Sequence, residues 1–98
     1  MSVGIDLGRE LMAAVKTGKV LLGSKQTLKA VGEGRAKLVV MASNCPPPVQ
    51  QSVEQADVPI IHFDGRGIEL GMMCGKPFAI AALTVVDEGS SDILAGVR

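Results

Sequence analysis

Two short segments of this 98-residue chain carry the groups best suited to bind something. The first is Gly23-Ser24-Lys25-Gln26, directly after the apolar run Val20-Leu21-Leu22. A strand that stops at a glycine and restarts as a helix leaves backbone N–H groups unsatisfied at its edge. Ser24 is of the type that caps a helix, and Lys25 then falls in the first turn. That turn already carries roughly half a positive elementary charge. A lysine there, in place of Asp or Glu, leaves the site short of an anion, which a phosphate or an electronegative base edge would supply. The plainer reading is a solvated lysine on an ordinary turn. The second segment is Ser43-Asn44-Cys45-Pro46, after the run Lys37–Ala42. A carboxamide in that position either closes its own turn or offers a donor and an acceptor together to a base edge.

Catalytic chemistry finds little support. His62 is the only histidine and lies within an apolar run, where a packed or edge-exposed role outweighs that of a base. Cys45 and Cys74 have neither zinc-site spacing nor the numbers for a disulfide framework. Glu69 stands alone on a short segment and reads as a cap or ion-pair partner. Gly71 to Gly75-Lys76 has three intervening residues where a phosphate-binding loop has four, and Pro77 replaces the magnesium-binding Ser/Thr. Gly65-Arg66-Gly67 opens like a dinucleotide fingerprint, but Leu70 occupies the third glycine position. The expectation is a chain without catalysis, metal, cofactor or small-molecule substrate. A small thiol- or nucleotide-dependent regulatory module is the alternative of another class, disfavoured by these failed motifs.

Charge is zero overall but unevenly placed. Residues 1–45 hold seven basic groups and three acids, and residues 46–98 hold three and seven. Between Lys16 and Lys37, the cations Lys16, Lys19, Lys25, Lys29, Arg35 and Lys37 face the single acid Glu33. One basic surface on a neutral chain suits a protein that lies on a polyanion by one edge. Among the aromatic residues only Phe63 and Phe78 are present, which excludes a multi-aromatic platform for single strands. No apolar stretch reaches the roughly 18 residues of a membrane span. Acids and glycines near the start argue against a secretory leader, and the sparse cysteines against an oxidising compartment.

The elements that must position these groups follow from the apolar periods. Leu7, Leu11, Met12 and Val15 mark an amphipathic helix ended by Gly18. A strand is expected over Lys19–Leu22 and a helix from Ser24 to about Gly32, with Leu28 and Val31 inward and Lys25 and Lys29 on one face. The unbroken run Lys37–Ala42 suits a central strand covered on both sides. Pro46-Pro47-Pro48 opens a third helix. Strands over Val58–Phe63 and Phe78–Val86 bracket a short helix over Gly67–Gly75, and Ser91–Leu94 suits a last helical turn. Regular alternation predicts one α/β domain, a three-layer α/β/α sandwich around a four-stranded mixed sheet. The turns Gly23–Gln26, Ser43–Pro46 and Gly65–Phe78 all adjoin strand ends, where open α/β sheets bind ligands.

Several segments together resemble a known family. They are Gly23-Ser24-Lys25-Gln26-Thr27-Leu28-Lys29, Gly34-Arg35-Ala36-Lys37-Leu38-Val39-Val40, Ala42-Ser43-Asn44-Cys45-Pro46, Ile68-Glu69-Leu70-Gly71 and Gly75-Lys76-Pro77-Phe78. In order and spacing, from about Thr17 to Leu94, they are similar to the archaeal and eukaryotic large-subunit ribosomal protein L-thirty-e family. The wider superfamily binds kink-turn RNA, a sharply bent duplex with tandem sheared G·A pairs, and shares the α/β/α sandwich. The resemblance implies a cytoplasmic, ribosome-bound protein whose partners are ribosomal RNA and neighbouring ribosomal proteins. A kink-turn adaptor in another ribonucleoprotein is the neighbouring alternative.

It also implies that Gly23, Ser24, Lys25 and Gln26 lie against the bent backbone, with Lys29 on the same helix face. Asn44 would contact a base of the G·A stack, and Lys76 and Phe78 would approach from the other side, Phe78 stacking on an extruded base. Superfamily relatives often carry a carboxylate where Gln26 stands, and Pro46–Val58 is shorter and richer in proline than usual. If Lys25, Lys29, Lys37 and Lys76 engage roughly four phosphates, log K should fall with log salt at a slope of about −3 to −4.

Overall fold

Val39 and Met41 point to one side of the sheet and Leu38 and Val40 to the other, and all four are buried. This explains the unbroken apolar run: a strand covered on both faces has no polar side to show. The computed structural model describes residues 7–94. Its elements are α1 (Leu7–Thr17), β1 (Lys19–Leu22), α2 (Ser24–Gly32), β2 (Leu38–Met41), α3 (Pro47–Gln55), β3 (Ile60–His62), α4 (Gly67–Met73) and β4 (Ala82–Asp87). On one face Val39, Met41 and Ala82 pack with Val49 and Val53 of α3 and with Leu28 and Val31 of α2. On the other, Leu38, Val40, Leu83 and Val85 pack with Leu11 and Ala14 of α1 and Leu70 of α4. The result is the expected three-layer sandwich.

Strand order is β1-β4-β2-β3. β4 runs antiparallel to both β1 and β2, while β2 and β3 are parallel. The carboxyl ends of β1, β2 and β3 therefore share one end of the sheet with the start of β4. Periodicity alone does not give this order, yet it decides which turns meet.

Two expected strands are shorter than the apolar runs that suggest them. β3 covers Ile60–His62 rather than Val58–Phe63, and β4 begins at Ala82 rather than Phe78. In the second case the chain just before Ala81 bonds to α4 instead of a strand. Lys76 N–H donates to the Gly71 carbonyl at 2.9 Å, and Ile80 N–H donates to that of Gly67, also at 2.9 Å. Pro77 between them has no N–H for a ladder. Gly67 and Gly71, one turn apart, let this segment lie directly on the helix: a Cβ at Gly71 would sit on the Phe78 carbonyl oxygen. The last expected turn is present at Ile93–Leu94, with Ile93 buried.

Candidate nucleic-acid interface

At the shared end of the sheet, backbone bonds join the turns into one surface. Gly23 N–H donates to the Ala82 carbonyl, and Ala42 N–H to that of Ala81, both at 2.9 Å. Ser43 N–H donates to the Gly65 carbonyl at 2.7 Å. The β1–α2 and β2–α3 turns thus flank the start of β4, separated by two strand spacings, about 10 Å.

Three helices begin at this end, and they present different N-termini. In α3, Pro47 and Pro48 have no N–H, and the Val49 and Gln50 N–H groups both return to the Pro46 carbonyl. In α4, the Arg66 N–H is held by the Glu69 carboxylate at 2.8 Å and the Gly67 N–H by the Asn44 side chain at 2.9 Å. Helix α2 differs. Its cap is Gly23, not Ser24, because the backbone there adopts φ 104°, ψ 158°, a conformation open essentially to glycine alone. Ser24 becomes the first helical residue and caps nothing. No side chain caps α2 and no acid lies in its first turn. By position, the N–H groups of Ser24, Lys25 and Gln26 precede the first intrahelical bond, Thr27 N–H to the Gly23 carbonyl at 3.0 Å.

Asn44 does something the sequence left open. Its Oδ1 accepts the Gly67 N–H, 23 residues further on. Because the partner is a donor, the facing atom must be the carboxamide oxygen, so Nδ2 points elsewhere with its two hydrogens. With Oδ1 already engaged by Gly67, the exposed Asn44 side chain offers the two Nδ2 hydrogens and one remaining lone pair of Oδ1. Donation from Nδ2 to a phosphate, O6 or N7 leaves the Gly67 bond untouched, whereas bidentate pairing with a base edge has to share the oxygen that already holds Gly67.

The remaining residues are set back by different amounts. Lys29 is exposed one helical turn behind Lys25, about 6 Å down α2. Phe78 lies over Gly71, one turn from the start of α4, and is 49% exposed. Ile68 and Met72 of α4 are 50% and 69% exposed, so among the described residues they are, with Phe78, the large apolar residues left at the surface rather than in the core. Lys76 follows the far end of α4. Lys37 is not brought to the site at all. It precedes β2, at the opposite end of the sheet, and its Nζ pairs with the Glu88 carboxylate at 3.2 Å. A backbone hydrogen bond of Glu88 itself and the Lys37 ammonium hold that carboxyl below its ordinary value. Lys25, Lys29 and Lys76 make no ion pair among the described residues.

Both cysteines are free and buried. Burial raises both thiols, Cys74 to about 11 with a small opposing pull from Lys76. Above pH 9 the unfolded chain loses a proton that folded Cys74 keeps, so stability should fall from pH 9 towards pH 11. Denaturant melts through this range should show that loss, and it should shrink in Cys74→Ala. Among the described residues no group of His, Cys, Asp and Glu could hold a metal, and no helix is long and apolar enough to cross a membrane.

Fold and turns together define a three-layer sandwich that gathers hydrogen-bond donors at one end of a mixed sheet. Residues 6–95 match the model of the ribosomal protein L7Ae/L30e/S12e/Gadd45 family. The chain belongs to that family. The large ribosomal subunit protein eL30 of Methanosarcina mazei is 47% identical over 95 residues, covering 97% of this chain and 92% of that protein. The protein of the same name from Methanopyrus kandleri is 41% identical over 97 residues, covering 95% and 89%. That of Methanocaldococcus jannaschii is 44% identical over 94 residues, covering 92% and 86%. Like these relatives, the chain is not an enzyme.

Proposed function

We propose that this chain is a structural constituent of the large subunit of the cytoplasmic ribosome, where it binds a kink-turn-like internal loop of ribosomal RNA and adjoins other ribosomal proteins. The observation that carries this reading is the donor surface at the sheet end. Three free N–H groups of α2, the Lys25 ammonium and the outward Asn44 amide offer donors there. A ribose-phosphate backbone offers the acceptors they lack. Phe78, half-exposed, gives an unstacked base an apolar face to lie on. A plain A-form duplex fits this surface poorly, because its major groove is too deep and narrow for side chains and its bases stay stacked.

Binding assays with an RNA carrying tandem G·A pairs in an asymmetric loop, against a plain duplex of equal length, test the reading. The looped RNA should bind more tightly. With Lys37 at the far end, three lysines remain, and these contribute about −2 to −3 to the slope of log K against log salt. Equal affinity for the two RNAs would remove the kink-turn reading. Sedimentation of the protein in lysate with large subunits, rather than with another ribonucleoprotein, separates the ribosomal role from that of an adaptor.

A further inference from the structure

The β3–α4 turn sets a cation beside the Asn44 amide. Gly65 and Gly67 are each bonded to the β2–α3 turn, the first through its carbonyl to Ser43 N–H at 2.7 Å and the second through its N–H to Asn44 Oδ1 at 2.9 Å. Arg66 lies between them. Its backbone is extended at φ −84°, ψ 170°, and its own N–H is held by the Glu69 carboxylate at 2.8 Å. The Cα is thus fixed by three hydrogen bonds, while the residue itself is exposed. Its two nearest acids in sequence, Asp64 and Glu69, make no ion pair with the guanidinium. The ion pairs found among the described residues join Arg35 to Glu33 and Lys37 to Glu88.

We infer that Arg66 holds a backbone phosphate of the RNA strand that passes Asn44, a contact resting on the RNA-binding reading given above. Arg66 directly precedes the residue whose N–H Asn44 Oδ1 accepts, and the guanidinium and the Asn44 Nδ2 group both donate only, so an acceptor-rich group within reach of both side chains satisfies them together. Phosphate fits better than a base edge. An exposed arginine outside any ion pair is free to turn, and its fork matches phosphate oxygens over a range of approaches. Its place in the fold adds a second point. Lys25 follows β1 and Arg66 follows β3, the two edges of the sheet. Three strand spacings separate those edges, about 14 Å. Lys25 and Arg66 therefore bracket the surface, and a bent RNA with two backbone segments close together can engage both.

Arg66→Ala, Arg66→Lys and Lys25→Ala, measured on the looped RNA and the plain duplex over a range of salt, decide the matter. Arg66 is tied to Glu69 through its backbone N–H, which alanine keeps, so Arg66→Ala should melt like wild type. It should weaken binding of both RNAs in parallel, roughly 3- to 10-fold at low salt, and reduce the salt slope by about 0.7–0.9. Arg66→Lys should restore the slope. An unchanged slope in Arg66→Ala, with Lys25→Ala weakened as expected, overturns the Arg66 contact and leaves the interface standing. A loss confined to the looped RNA with its salt slope unchanged overturns the phosphate assignment, since the guanidinium would then be reading a base. If neither Lys25→Ala nor Arg66→Ala changes binding, the sheet end is not the RNA surface and both readings fall.

Discussion

Asn44→Asp should fold as stably as the wild-type protein and yet bind the looped RNA on the order of 10- to 100-fold more weakly. A carboxylate oxygen can accept the Gly67 N–H as Oδ1 now does, at the positive end of α4. The tie between the β2–α3 and β3–α4 turns survives. What disappears is the pair of outward hydrogens, and a negative charge takes their place facing a polyanion. Loss of a specific donor is worth roughly 1–3 kcal/mol, and the charge adds to it. Asn44→Ala removes donor and acceptor alike. Its missing cap should cost about 1 kcal/mol of stability, a fall of about 4–8 °C in Tm for a domain of this size. Melting and binding, measured on both variants, separate the two roles of the amide. If Asn44→Asp binds like wild type, the amide serves only the turn, and the donor surface loses its central group.

Asn44 also shows where sequence reading stops. Residue type and place in the chain leave two roles open, closing a turn or meeting a partner. In the fold, one atom of the amide closes a contact and the other is left facing outward. The acceptor meets Gly67, a residue too distant in sequence for any local turn rule to find. Lys37 fails for a related reason. Along the chain it belongs to the basic run Lys16–Lys37, but β2 carries the chain across the sheet between Lys37 and Asn44, a distance of about 13 Å over four residues. A run of charge in sequence is not a patch in space. The sandwich itself was legible, because apolar periods report which faces are covered, and all eight predicted helices and strands are present. Strand order was not, since it depends on pairing between segments that periodicity treats separately. Cys45 and Cys74 behave as small apolar residues, and their burial accounts for it.

The misplaced start of β4 leads to the second large effect. Phe78–Val86 looks like one strand because apolar periodicity cannot register that Gly67 and Gly71 leave room for a backbone to lie across α4. Gly71→Ala should expose that dependence. The new Cβ meets the Phe78 carbonyl, a backbone group, so relief requires the 76–80 segment to lift away from the helix. Overpacking of this kind costs about 1–3 kcal/mol. At about 4–8 °C per kcal/mol, the fall in Tm is large enough to measure easily. RNA binding should weaken as well, because the lifted segment carries Phe78. Phe78→Ala is the control that separates the two losses. With half of its surface already exposed, Phe78 contributes little to the core, so its alanine variant should melt close to wild type. If it stacks on a base, that variant should still lose roughly 1–3 kcal/mol of binding. A Phe78→Ala protein with full affinity would mean that the exposed Phe78 ring faces something other than the RNA. A Gly71→Ala protein that melts like wild type would show that the segment does not need to lie against α4.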